Sequence, residues 1–276
     1  MVALYNRTAV DCCRQITKNY STSFYMGIRL FGKTYREPIC VIYSFFRYAD
    51  EIVDTFNTID QKTALERFKS DTWNAIEMKF SSNPILQAFQ QVVYEYNIDY
   101  EQIKTFLKSM EMDLYNSTFD NKEYNQYIFG SAEVVGLMCL RIFYKDNDQE
   151  YNALKAYAQS LGSAFQKVNF LRDVQDDYVN RGRVYFPAVS FENFTESNKM
   201  LIEQDIDADF KKAIQGIQKL KKEVRSGVYL AYVYYTKLFN KIKAARASEI
   251  LKKRYRINNL HKVWLLIVCR VGNMAA

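Results

Sequence analysis

Two aspartate pairs, each spaced four residues apart, are the side chains of this sequence best suited to chemistry. Asp50 and Asp54 stand in YADEIVDTF (48–56), Asp173 and Asp177 in NFLRDVQDD (169–177). On a helix an i, i+4 spacing puts both carboxylates on one face, roughly 6 Å apart along the axis. Such a pair repels itself at neutral pH unless a cation holds it. Asn169 extends the second pair to an i, i+4, i+8 line of oxygen donors, with Asp176 alongside; Arg47, Gln166 and Arg172 lie on nearby faces. Glu51, between the first two acids, is expected to point off their face. Two helices carrying hard oxygen donors and an arginine each suit Mg²⁺, with Mn²⁺ as substitute, because Mg²⁺ binds few carboxylates, keeps waters and bridges to substrate phosphates.

The elements that must carry these residues are helices. The chain has 276 residues, nearly half of them apolar, with 22 Tyr and 19 Phe but only 9 Gly and 3 Pro. A sheet protein of this length needs more turn residues, and no stretch alternates at period two. The reading is all-α in a single domain, 1–276. Helices are expected at about 4–20, 38–56, 60–79, 84–96, 99–116, 124–144 and 149–180, with breaks at Gly182 and Pro187. Two or three more fill 197–245, and a last pair covers 247–272. Pro38 and Pro84 are read as first-turn prolines, the latter behind an Asn83 cap.

Composition also excludes chemistry. The five cysteines (Cys12, Cys13, Cys40, Cys139, Cys269) show no C-x-x-C spacing, so neither a disulfide framework nor a zinc site is expected. His261 is the single histidine, which disfavours mechanisms that need histidine as base or ligand. The N-terminus carries charges where a signal peptide is apolar, and the apolar run 263–269 is too short to span a bilayer. A cytoplasmic protein, soluble or peripheral to a membrane, is expected. The net charge of +7 is uneven: six Lys and four Arg oppose Glu249 alone between Lys237 and Arg270, a local excess of nine. That end suits an anionic partner.

These aspartate motifs, together with YSTSF (20–24) and RGRVYFP (181–187), resemble the squalene/phytoene synthase family of isoprenyl-diphosphate enzymes, its phytoene synthase branch above all. The likeness runs from about residue 10 to about residue 265. It implies an isoprenoid synthase fold, a helical bundle around a central cavity with the two aspartate helices facing across its mouth. It further implies head-to-head joining of two prenyl diphosphates through a cyclopropyl intermediate. Asp50, Asp54, Asn169, Asp173 and Asp177 would bind Mg²⁺, the four aspartates being the catalytic set. Tyr20, Ser21, Thr22, Ser23, Arg47, Gln166 and Arg172 would contact diphosphate, while Tyr43, Tyr185, Tyr234 and Arg254 fall where the family also lines its site. Asp113, in MEMDL, matches a family pattern as well. Two departures stand out: Tyr20 takes a place where many relatives have His, and Phe129 one where they have Tyr.

The chemistry of the residues agrees with that likeness. Ionising an allylic C–O bond makes diphosphate a leaving group, whose charge Mg²⁺ and arginine stabilise. The carbocation left behind needs aromatic faces and the exclusion of water, while the diphosphate itself can serve as base. Met110, Met112 and Met138 suit the wall of an oily tunnel. Lys237, Lys241, Lys252, Lys253 and Lys262, beside Trp264, Leu265, Leu266 and Ile267, suit an anionic membrane surface. The expected reaction joins two geranylgeranyl diphosphates to phytoene, without a redox cofactor. The alternatives are squalene or dehydrosqualene synthesis from farnesyl diphosphate, and a non-catalytic scaffold that keeps the fold. Nucleic acid is not an expected partner: no recognisable motif accompanies the basic stretch.

Overall fold

The computed structural model of the chain describes residues 1–56, 58–187, 189, 191 and 194–258. Twelve helices follow one another among them: α1 (Val2–Tyr20), α2 (Thr22–Ile28), α3 (Lys33–Asp54), α4 (Gln61–Met78), α5 (Pro84–Tyr96), α6 (Tyr100–Tyr115), α7 (Asn121–Ile128), α8 (Val134–Phe143), α9 (Asp148–Val174), α10 (Glu196–Lys219), α11 (Lys222–Lys243) and α12 (Ala247–Ile250). No strand occurs among the described residues; a lone parallel bridge ties Thr118 to Val184. The all-α architecture is as the composition requires.

Local chemistry sets the helix ends. Asn83 accepts from the Ile85 and Leu86 amides with Pro84 just inside. Asp120 with Glu123, and Thr195 with Asn198, form capping boxes. Three expectations need correction. α3 begins at Lys33, five residues before the predicted start, and Pro38 lies inside it. Gly32 caps that helix and donates its amide to the Glu223 carbonyl at 2.8 Å, so the start is anchored on α11 rather than on the proline. The predicted 124–144 helix is divided by a π-helical turn, Phe129–Glu133, and the predicted 149–180 helix ends in another, Gln175–Asn180. A π turn holds an extra residue, which hydrophobic spacing does not announce. Of the predicted pair over 247–272, the structure describes α12 and the chain to residue 258; His261, Lys262, Trp264, Leu265, Leu266, Ile267 and Cys269 lie outside the described residues.

Two apolar clusters carry the bundle. The first joins α1, α3–α6, α8 and the start of α9 around Phe45, Phe89 and Phe106, with Phe45 and Phe89 stacked at 3.7 Å. The second joins α9–α12 and the 184–191 segment around Phe170, Tyr185 and Phe239. Small residues let helices meet closely where the two halves join. A Cβ on Gly227 would lie 2.2 Å from the Phe31 ring and 2.5 Å from the Gly27 carbonyl, and one on Gly216 would lie 2.2 Å from Tyr157 Cβ. The stretch Asn121–Phe143 is long and apolar enough to cross a membrane, but over half of it is buried inside this bundle.

Candidate active site

Between the two halves lies a cavity of about 690 Å³. Its deep wall is apolar: Phe31, Phe143, Leu154, Tyr157 and Ile217 among others. Its mouth is polar, because α3 and α9 both end there. Asn169 stands 12 residues beyond Tyr157 on α9, so mouth and floor are separated by about 18 Å of helix.

Each predicted residue can now be placed. Tyr20, Ser21, Ser23, Tyr43, Arg47, Asp50, Gln166, Asn169, Arg172, Tyr234 and Arg254 all line the cavity. Asp54, Asp173 and Asp177 stand just outside it: Asp173 is tied to the lining Arg172 and Arg254, whereas Asp54 and Asp177 are tied to Arg181, which is not part of the lining. Thr22 does not line the cavity: it is exposed on α2, between Ser21 and Ser23, which do. Tyr185 is buried beneath the site, stacked on Phe170 at 4.1 Å, with its hydroxyl on Asp113. Phe129 is exposed; Tyr127, two residues earlier, reaches the wall. Met110 lines the cavity, whereas Met112 and Met138 pack in the two cores. Cys139 is on the wall too, its thiol pushed up to about 12 by burial, which makes it inert. Cys12, Cys13, Cys40 and Cys139 are unbridged.

Arginines hold the acids. Arg47 donates to Asp50 at 2.7 Å and also pairs with Glu51, which does not line the cavity. The Arg47 guanidinium also lies 4.7 Å over the Tyr20 ring, a cation–π contact at the position of the His-to-Tyr departure. Arg172 grips Asp173 with two hydrogen bonds, at 2.9 and 2.5 Å, and Arg254 Nε lies 2.7 Å from the same carboxylate. Asn169 accepts from the Tyr235 hydroxyl at 3.2 Å. Three participants escaped the sequence reading: Arg181, Arg183 and Tyr235. Arg183 donates to Asp54 at 2.9 Å, and Arg181 touches Asp54 at 3.1 Å and Asp177 at 3.3 Å. The R-G-R spelling was visible, but its inward turn depends on Gly182, whose φ of 67° is a left-handed conformation.

These guanidiniums leave negative charge uncompensated. Burial, with the Asp54 carboxylate beside it, pushes Asp50 up to about 6; burial, with Asp173 beside it, pushes Asp177 up to about 7. Among the described residues no group of three acidic, His or Cys side chains is drawn tightly enough to grip a cation by itself. The donor set nevertheless fits one: hard oxygens from two helices, with acids whose charged forms lack a full counter-charge. Buried Arg47 Nε and the Ser131 hydroxyl have no partner, and both residues line the cavity, where anion oxygens would meet them.

Residues 17–261 match the family model described as squalene/phytoene synthase. The chain belongs to the squalene/phytoene synthase family. Among curated relatives, a phytoene synthase of Arthrospira platensis is 30% identical, the match covering 89% of this chain and 87% of that one. The 15-cis-phytoene synthase of Synechocystis sp. is 28% identical, over 90% and 80%. A chloroplastic phytoene synthase of an Oncidium hybrid is longer: it is 30% identical over 90% of this chain, which spans 64% of it. Two solved structures share the fold. A dehydrosqualene synthase superposes with a TM-score of 0.81 at 19% identity, covering 98% of both chains. A squalene synthase of Alicyclobacillus acidocaldarius gives 0.75 at 19% identity, covering 87% and 95%. As a squalene/phytoene synthase family member the chain is an enzyme of the prenyltransferase type acting on prenyl diphosphates, and its fold is the isoprenoid synthase fold.

Proposed function

We propose that this squalene/phytoene synthase family member condenses two geranylgeranyl diphosphates head to head, through a cyclopropyl diphosphate, to phytoene. The observation that carries the reading is the meeting of two aspartate helices, with their arginines, at the mouth of a deep and otherwise apolar cavity. The choice of the C20 substrate rests on sequence: the curated relatives near 30% identity bear the name phytoene synthase, whereas the solved structures at 19% share the fold alone.

Asp50, Asp54, Asn169, Asp173 and Asp177 would hold Mg²⁺, which supplies electrophilic stabilisation of the departing diphosphate. The chain's own groups do the rest. Arg47, Arg172 and Arg254 provide fixed positive charge for the leaving group, and Ser21 and Ser23 provide hydroxyls at the end of α2. Tyr43, stacked on Phe24 at 5.0 Å, offers a ring face to the allylic cation. Its phenol is pushed up to about 12 by burial, so it stays neutral and does not attack the cation as phenolate. The apolar floor excludes water from the cation's other side. No redox cofactor is required. Exposed Lys241, Lys252 and Lys253 at the basic end would meet anionic lipid headgroups and bring the apolar product to a membrane; flotation with anionic vesicles at low salt checks this, and absence of binding rejects it.

The decisive experiment incubates purified protein with Mg²⁺ and either farnesyl or geranylgeranyl diphosphate, with and without NADPH, and identifies the extracted lipid. Phytoene from the C20 substrate without NADPH supports the reading. Turnover of the C15 substrate alone overturns it.

A further inference from the structure

Among the described ion pairs, Arg181 is the residue that joins the two aspartate motifs. Its Nη1 lies 3.1 Å from Asp54 on α3 and 3.3 Å from Asp177 in the π turn after α9. We propose that Arg181 is a displaceable counter-ion: its guanidinium cross-links the two aspartate helices before metal binds, and turns onto the diphosphate when a divalent cation takes its place. This rests on the metal reading of the site given above.

The contrast with Arg183 carries the inference. Arg183 has 11% of its side chain exposed and is held from three directions, by Asp54 at 2.9 Å, the Val53 carbonyl at 3.4 Å and Asp113 at 3.9 Å. Its backbone is fixed as well: its amide donates to the Asp177 carbonyl at 2.8 Å, and the next amide, of Val184, to the Ser117 carbonyl at 2.8 Å. Arg181 is 35% exposed, and both its contacts are longer than the 2.7–2.9 Å usual for charge-assisted bonds. The two arginines are separated by Gly182 at φ 67°, where an added Cβ would meet nothing within 4 Å. The glycine is therefore needed for the backbone angle and not for space, and that angle lets one arginine be built in while its neighbour reaches across from outside. A cation bound by the same Asp54 and Asp177 oxygens must expel the Arg181 guanidinium, since the two positive centres cannot share them. The expelled side chain remains at the mouth, where the leaving group's charge develops.

Arg181→Gln and Arg183→Gln separate this from a general charge effect, because each removes one positive charge beside Asp54. Mn²⁺ binding is measured without substrate by electron paramagnetic resonance, and binding of inorganic pyrophosphate in excess Mg²⁺ by calorimetry. For Arg181→Gln the expected results are Mn²⁺ binding tighter by about tenfold and pyrophosphate binding weaker by about tenfold. For Arg183→Gln the expected gain in Mn²⁺ affinity is the smaller of the two, because its guanidinium pairs with Asp54 and Asp113 and does not bridge to Asp177. Equal shifts of Mn²⁺ affinity in the two variants, or unchanged pyrophosphate affinity in Arg181→Gln, overturn the proposal while leaving the metal site standing. A parent protein whose Mn²⁺ binding is indifferent to Asp54→Asn and Asp177→Asn overturns the metal reading and the latch together.

Discussion

Asp113 sits under the site, 6% exposed, accepting hydrogen bonds from Tyr127 at 2.8 Å and Tyr185 at 2.9 Å and standing 3.9 Å from Arg183. Burial pushes its carboxyl up to about 7 despite those donors and despite Arg183. A carboxyl whose pKa is raised on folding stabilises the protein below its unfolded value, near 4, and that contribution is lost as pH rises through about 7. Parent stability should therefore fall relative to Asp113→Asn between pH 4 and 7, by at most about 1.4 kcal/mol per pH unit. Thermal unfolding of both proteins across that range checks the sign; a parent that gains on the variant is incompatible with the buried acid described. The acids of the motifs answer to activity. Asp54→Ala and Asp177→Ala should each lower kcat at least about a hundredfold while leaving the far-ultraviolet circular dichroism of a helical protein. Full activity in either variant rejects the metal assignment. At this scale the acids were legible from spacing, because an i, i+4 pair needs no tertiary knowledge. Arg181, Arg183 and Tyr235 were not: their partners lie on other helices, up to 130 residues away along the chain.

The helices themselves were largely readable, because caps are local. Asn83–Pro84 marked the start of α5 as observed, and the 84–96 span is the one seen. Where the reading failed, a distant contact had decided the matter: Gly32 is held by Glu223, so α3 starts ahead of its proline. The close approaches of α2 to α11 and of α10 to α9 were equally invisible, since they depend on glycines whose neighbours come from elsewhere. Gly227→Ala would bring a methyl within 2.5 Å of the Gly27 carbonyl and closer still to Phe31. It should cost about 1–3 kcal/mol, read as a lower midpoint in urea unfolding. A midpoint equal to the parent's would show that this seam has room to spare.

For the whole molecule, the family and the all-α class were legible from motif order and turn-residue poverty, whereas the size and floor of the cavity were not, because they are set by helices distant in sequence. That floor gives a test of chain length. Ala158, on the wall beside Tyr157 and Leu154, can be enlarged; Ala158→Phe should lower kcat/KM for the C20 diphosphate relative to the C15 one by about tenfold, the equivalent of one to two lost methylenes of pocket. Competition between the two substrates in one reaction measures the ratio, and an unchanged ratio moves the floor elsewhere. The wide turn at 175–180 has a consequence of another kind. Lineages of this chain cannot treat its length there as neutral. Deleting the extra residue would let α9 run on as ordinary helix, and positions beyond the turn would keep their faces because the wide turn had already absorbed it; the change would fall on the acids inside the turn, Asp176 and Asp177. Asp177 would be re-aimed relative to Arg181, so the loss of a single codon would leave the fold standing and disturb one half of the acidic mouth.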